Sequence, residues 1–148
     1  MSHPDSQIRQ IFERTRVIAC IGASPKSARP SHYVSLFLKE CGYRVIPVNP
    51  VQAGNRIFGE TTVAALSEID APVDMIDIFR RSEDVLPVVE EAIAALPTLR
   101  TIWMQIGIAN AEAAMLGQGH GLDVIQNRCP KVEIPRLFGP GWRVGGRA

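Results

Sequence analysis

Short apolar runs alternate along this chain with segments in which apolar residues recur every three or four positions. That is the pattern of a parallel sheet whose strands are joined by helices. Arg16 to Ile21 is almost entirely apolar and fits a buried central strand. Val34, Phe37, Leu38 and Cys41 then share one helical face, and Gly42 supplies a C-terminal stop. Arg44 to Val48 reads as the second strand, although Pro47 fits only where its missing N–H is not needed, at the strand end or a bulge. Arg56 to Phe58 reads as a short edge strand, followed by a helix near Val63 to Ile69. Met75 to Phe79, Thr101 to Met104 and Leu122 to Ile125 are the remaining strands. Between them lie a helix opened by Ser82-Glu83-Asp84 and running to about Leu96, and one that Asn110 can cap.

These elements predict an α/β fold: one doubly wound, Rossmann-like domain with a mostly parallel sheet of about five to six strands and helices on both faces. The simplest strand order is 3-2-1-4-5-6. Residues 1–14 read as a helical extension, with Ile8, Ile11 and Phe12 packing an amphipathic helix on the outside. Residues 15–132 form the domain, and residues 133–148, rich in Gly, Pro and Arg, read as a tail or extended arm.

Composition narrows the class further. A chain of 148 residues is about one domain and buries roughly 70% of its unfolded surface, enough for a core without disulfides or structural metal. Its longest apolar run, Val17 to Ala23, is far short of the roughly 18 residues of a membrane span. The first residues lack a signal-peptide pattern, so the expected location is the cytoplasm. Cys20, Cys41 and Cys129 are widely spaced, fit no metal or CxxC spacing, and read as reduced thiols. The net charge of +1 argues against bulk nucleic-acid or membrane binding. It conceals a segregation. Residues 1–56 carry eight Lys/Arg and three Asp/Glu, residues 57–127 three and eleven, and residues 128–148 five and one. Basic termini around an acidic middle suit a focused anionic ligand site, and solvated helix faces produce the same blocks.

In doubly wound sheets, ligands sit beyond the carboxyl ends of the strands where the order reverses. Those ends here are Gly22-Ala23-Ser24, Asn49-Pro50, Phe79-Arg80, Gln105-Ile106-Gly107 and Asn127-Arg128-Cys129. The first is the most informative. A strand runs into Gly22, then into a loop holding Ser24, Lys26, Ser27 and Arg29, then into a helix opening near Ser31. Glycine permits a tight turn, free N–H groups at a helix start attract phosphate oxygens, and Lys26 and Arg29 add charge. The alternative is an ordinary strand-to-helix turn. The dinucleotide fingerprint is absent, because GxGxxG would need glycines where Ser24 and Ser27 stand. Asn49-Pro50 also replaces the acidic residue that usually holds the NAD ribose. The expected ligand is a phosphate-rich nucleotide.

The runs Ile21-Gly22-Ala23-Ser24, Arg29-Pro30-Ser31, Gly42 to Pro50, Asp77-Ile78-Phe79-Arg80, Trp103 to Gly107 and Asn127-Arg128-Cys129 closely resemble the small stand-alone CoA-binding proteins of bacteria. That family is similar to the CoA-binding Rossmann domain of succinyl-CoA synthetases. The resemblance covers about residues 8 to 134. It implies coenzyme A or an acyl-CoA as ligand, with Gly22, Ala23, Ser24, Lys26, Arg29 and Ser31 around the phosphates. Asn49, Pro50, Phe79 and Arg80 would line the groove, and Gln105 and Gly107 would lie beside the pantetheine arm.

No nucleophile with an adjacent base is recognisable. His3 lies in the terminus, His32 in the first turn after the phosphate loop, and His120 between two glycines. Asp74 and Asp77 bracket a strand without forming a catalytic pair, since Asp77 precedes the strand end. Lys26 also reads as a solvated loop residue, Arg29 as a loop brace, and Arg80 as a partner of Glu83 or Asp84. Cys129 reads as a small apolar residue packing a turn, or as a thiol that meets that of CoA in a mixed disulfide. The expected function is non-catalytic binding of CoA or an acyl-CoA as a sensor, carrier or regulator. The alternatives are a subunit or module of an acyl-CoA ligase or other nucleotide-dependent enzyme that needs a partner chain, and a domain used only as an interaction surface. A homodimer is a further expected possibility.

Overall fold

The computed structural model describes residues 3–146. In chain order the strands are β1 (Val17–Ile21), β2 (Arg44–Val48), β3 (Arg56–Ile57), β4 (Glu60–Thr61), β5 (Met75–Ile78), β6 (Thr101–Met104) and β7 (Asp123–Ile125). Five of them form one parallel sheet in the order β2-β1-β5-β6-β7, while β3 and β4 pair antiparallel by themselves. The order reverses between β1 and β5, whose carboxyl ends lie side by side with Ile21 opposite Ile78.

The helices are α1 (Asp5–Arg14), α2 (Pro30–Glu40), α3 (Val85–Ala95), α4 (Ala111–Gly119) and α5 (Pro130–Phe138). They cover both faces, which is why the central strands are apolar on both sides. One core holds Phe12, Val34, Leu38, Trp103 and Ile134; the other holds Ile46, Val89, Ile102 and Val124. Asn110 caps α4 as expected, its side chain accepting from the Ala113 N–H at 2.9 Å. The helix expected near Val63 to Ile69 is a single 3-10 turn over Leu66–Glu68.

The expected strand at Arg56 to Phe58 does not join the sheet, so the order on that side stops at β2. Pro47 supplies the reason. Its carbonyl accepts from the Val63 N–H on the outer edge of β2, and the N–H that proline lacks would point the same way. At Pro47 itself a further strand finds no donor, and the nearest one, the Asn49 N–H, is taken by the Val63 carbonyl at 2.9 Å. The outer edge carries only an isolated bridge between Val48 and Val63.

Both expected appendages belong to the domain. Ile8, Ile11 and Phe12 of α1 are fully buried, and the Phe12 ring lies 5.1 Å from that of Trp103 on β6. The Tyr43 hydroxyl donates to the Phe12 carbonyl at 2.5 Å. His3, expected in a loose terminus, accepts from the Gln126 N–H at 3.1 Å. At the other end, the residues expected as a tail begin inside α5, whose Ile134 and Leu137 are buried. Pro130 sits in its first turn, where no N–H is required. Its basic residues have local partners. Arg136 bridges Glu133 at 2.7 Å and Asp5 of α1 at 2.9 Å, and Arg128 reaches Glu133 at 3.2 Å. Trp142 stacks on Phe138, and the Val144 N–H donates to the Cys41 carbonyl at 2.8 Å. The last two residues of that segment lie outside the described residues.

Truncating Phe12 to alanine is expected to cost about 3–5 kcal/mol, because a fully buried aromatic leaves a cavity against Trp103. Urea unfolding would report it as a lower midpoint at unchanged slope. A loss below about 1 kcal/mol would return α1 to the status of an appendage.

Candidate functional site

A cavity of about 880 Å³ opens at the carboxyl ends of β1, β2, β5 and β6. Nine sequence-predicted residues line it: Gly22, Ser24, Lys26, Arg29, Ser31, Asn49, Phe79, Arg80 and Gln105. Ala23, Pro50 and Gly107 are not on its wall. Ala23 is fully buried. Gly107 turns the chain with φ +84°, and its N–H is held by the Asn127 side chain at 2.7 Å. The wall also contains Tyr33, Val34, Gln52, Arg81, Ile106, Ile108 and Cys129, which sequence reasoning left out of the site. Tyr33 and Val34 follow directly from the first turn of α2. Gln52 arrives through the 3-10 turn after β2, for which the chain carries no distinct signal.

Gly22 sets the geometry of the first loop. Its φ is +90°, and a Cβ there would lie 2.7 Å from the Phe79 carbonyl oxygen. Any side chain would force the β1 loop away from the end of β5, so glycine is required twice over. The loop is then braced from three sides. The Gly22 N–H donates to the Val48 carbonyl at 2.9 Å, and Asn49 Nδ2 donates to the Ala23 carbonyl at 2.9 Å. Asn49 Oδ1 accepts from the Val51 N–H at 3.0 Å, so both ends of its amide serve the scaffold. His32 Nδ1 hydrogen-bonds the Ser24 carbonyl at 2.8 Å, and the ring packs 5.4 Å from Phe58. His32 is therefore a loop brace and does not line the cavity.

The start of α2 differs from expectation by one residue and in its free donors. The helix opens at Pro30, which has no N–H, and the N–H groups of His32 and Tyr33 both donate to the Arg29 carbonyl. Within the loop, the N–H groups of Ser24, Ser27 and Ala28 make no hydrogen bond to another described residue.

Lys26, Arg29, Arg80 and Arg81 bring positive charge to the wall, and no carboxylate lines it. The salt bridge expected for Arg80 is made by Arg81, which reaches Asp84 at 3.1 Å and Glu83 at 3.4 Å. Lys26, Arg29 and Arg80 have no ion pair among the described residues. Phe79, Ile106 and Ile108 add apolar surface to the same cavity, with Ile106 62% exposed.

Behind one lining residue, Gln105, lies a buried acid. Asp77 lies within β5, between Cys20 of β1 and Trp103 of β6, and is fully buried. Its Oδ1 accepts from Gln105 Nε2 at 2.8 Å, and its Oδ2 has no partner. Burial raises its pKa to about 7, the Gln105 hydrogen bond pulling the other way. Asp74 stands at the opposite end of the strand, where its carboxylate accepts from the N–H groups of Arg16 and Val17. The two acids therefore serve different ends of the sheet. Cys129, beside the cavity, is 9% exposed, and burial pushes its thiol pKa up. That disfavours the thiolate needed for disulfide exchange.

The fold and the placement of the cavity define a doubly wound α/β domain with a groove at the topological switch point. Residues 16–135 match the model of the CoA binding domain family, and the chain belongs to that family. It is 37% identical over 133 residues to the "Uncharacterized protein YneT" of Bacillus subtilis (strain 168), covering 89% of this chain and 96% of that protein. The solved structure of cell-free ID.343 from Thermus thermophilus superposes with a TM-score of 0.86 at 37% identity, covering 92% of this chain and all of that one. A dinucleotide-forming acetyl-coenzyme A synthetase 1 of Ca. Korarchaeum cryptofilum, solved with phosphate and ADP, shares the fold. There the TM-score is 0.63 at 21% identity, over 79% of this chain and 26% of that one.

The raised pKa of Asp77 has a definite sign in stability. The folded chain keeps a proton that the unfolded chain releases above pH 4, so this group stabilises least at high pH. Replacing Asp77 by leucine is expected to add roughly 2–3 kcal/mol more stability at pH 8 than at pH 5. Urea midpoints at the two pH values measure this, and a difference independent of pH would show that Asp77 titrates normally.

Proposed function

We propose that the groove binds coenzyme A or an acyl-CoA, and that the protein works as a CoA sensor, carrier or regulator without catalysing acyl transfer. The observation that carries this reading is that Lys26, Arg29 and Arg80, none paired with an acid among the described residues, all line the groove. Three unneutralised cations and unbonded loop N–H groups are a donor set suited to several phosphate groups. CoA carries a diphosphate and a 3′-phosphate. The residues fit such a ligand in other respects. Phe79, Ile106 and Ile108 offer an apolar track for the pantetheine arm, and the cavity lies within the roughly 300–1,000 Å³ of small-molecule sites. Membership of the CoA-binding domain family supports the same ligand.

The non-catalytic part of the reading rests on the chemistry of the wall. His32 is committed to the loop, and the Cys129 thiol is held protonated by burial. Asp77 is sealed beneath Gln105. A second reading, a ligase module completed by a partner chain, draws on the shared fold with part of the acetyl-coenzyme A synthetase. It requires acyl-CoA formation that appears only when a candidate partner subunit is added.

Thermal unfolding with CoA, acetyl-CoA, NAD, NADP and ADP tests the ligand. A compound at 100 times its Kd adds about 2.7 kcal/mol, and CoA or acetyl-CoA is expected to give the largest rise in Tm. Greater stabilisation by NAD, or none by any nucleotide, would overturn the reading. Arg29→Ala is expected to weaken CoA binding about tenfold, the effect of losing one charge-assisted hydrogen bond, at unchanged Tm of the free protein. Unchanged affinity by calorimetry would remove Arg29 from the site.

A further inference from the structure

Asp77 is an unusual residue to find in the middle strand of a parallel sheet. Its neighbours in register are Cys20 and Trp103, and it is fully buried with one oxygen unpartnered. An apolar side chain would pack there without that cost. The one bond it makes is to Gln105, which is 6% exposed and lines the cavity. This bond uses the nitrogen end of the Gln105 amide. The other end, Oε1, accepts no hydrogen bond from the described residues and is not among the buried atoms left without a partner. It is therefore the end that remains open to the groove.

We propose that Asp77 is a positioning residue: it holds the Gln105 carboxamide in one orientation, so that Gln105 Oε1 is a fixed acceptor for an amide N–H of the ligand's pantetheine arm. This inference rests on the CoA reading and specifies how one part of the groove selects its ligand. Above about pH 7, where Asp77 is ionised, its carboxylate only accepts, so it binds the NH2 end of the amide. Turning the amide over would set Oε1 against Oδ1, lone pair against lone pair. The backbone on either side holds the residue in place, since the Gln105 carbonyl accepts from the Ile108 N–H at 2.9 Å. The groove then demands a donor at this point. Pantetheine offers two secondary amide N–H groups, whereas a chain carrying an ester or ether oxygen there would face oxygen with oxygen and be rejected.

The test compares, at pH 8, calorimetric binding of CoA with that of adenosine 3′,5′-bisphosphate, which keeps the 3′-phosphate and one 5′-phosphate and lacks the second 5′-phosphate and the arm. The proteins are the full chain and its Asp77→Leu, Asp77→Asn, Gln105→Met and Asp77→Leu/Gln105→Met variants. Asp77→Leu is expected to weaken CoA about tenfold and the bisphosphate less than about twofold, the loss of one oriented hydrogen bond to the arm. In the Gln105→Met background, Asp77→Leu is expected to have no further effect, because Asp77 acts only through Gln105. Asp77→Asn keeps a carbonyl acceptor for Gln105 Nε2 and is expected to bind CoA within about threefold of the wild type. Equal losses for both ligands, or unchanged CoA affinity in Asp77→Leu, would overturn the inference while leaving the CoA reading intact. Failure of the wild type to bind CoA would overturn that reading and the inference together.

Discussion

The groove exists because β1 and β5 approach each other at their carboxyl ends more closely than any side chain would permit. A Cβ on Gly22 would meet the Phe79 carbonyl oxygen at 2.7 Å, and the Phe79 N–H in turn donates to the Ile21 carbonyl at 2.9 Å. From that contact the chain diverges on both sides of the switch point. The β1 loop runs out over Lys26 and Arg29 to α2, and β5 runs out through Arg80 toward α3. Lys26 and Arg29 of that loop meet Arg80 from a distant part of the chain, and no carboxylate lines the groove. Their mutual repulsion has no partner inside the protein, which is the electrostatic condition of an anion site.

Around this point the polar residues divide into those that brace the scaffold and those left open. Asn49, His32 and Asn127 spend their hydrogen bonds on loop backbone. Ser82 ties the two right-hand loops together, accepting from the Ala109 N–H at 3.1 Å while its carbonyl accepts from Asn110 Nδ2 at 2.9 Å. Such preorganisation removes ordering costs from ligand binding. Asp77 is the costliest of the bracing groups, since it stabilises least at neutral pH and above. A buried acid retained on those terms is readily understood if its bond to Gln105 serves the ligand.

Much of the fold was legible because its physics is local. The strands at Val17–Ile21, Arg44–Val48, Met75–Ile78 and Thr101–Met104 are apolar runs that only a sheet covered on both faces can bury. Asn110 and Pro30 mark helix starts through chemistry within three residues of themselves. The same local reading failed for α5. Pro130, Pro135 and the Gly/Arg content that follows describe a tail, yet Ile134 and Leu137 find a core made by α1 and α2. Charge was misread for the same reason. The basic C-terminal block suited a ligand site in sequence, yet Arg136 pairs with Asp5, 131 residues away, and Arg128 with Glu133.

The sequence by itself determined the alternation of strands and helices and the carboxyl strand ends, Gly22 to Ser31 among them, around which the cavity opens. These follow from side-chain periodicity and backbone freedom, which are properties of neighbours in the chain. Only the tertiary structure decided that Pro47 ends the sheet at β2 and that Arg81, and not Arg80, is neutralised by Glu83 and Asp84. It alone decided that Asp77 reaches Gln105 across 28 residues of sequence. Edge position, ion pairing and the orientation of a buried amide depend on which segments pack together, and no periodicity within either segment encodes that choice.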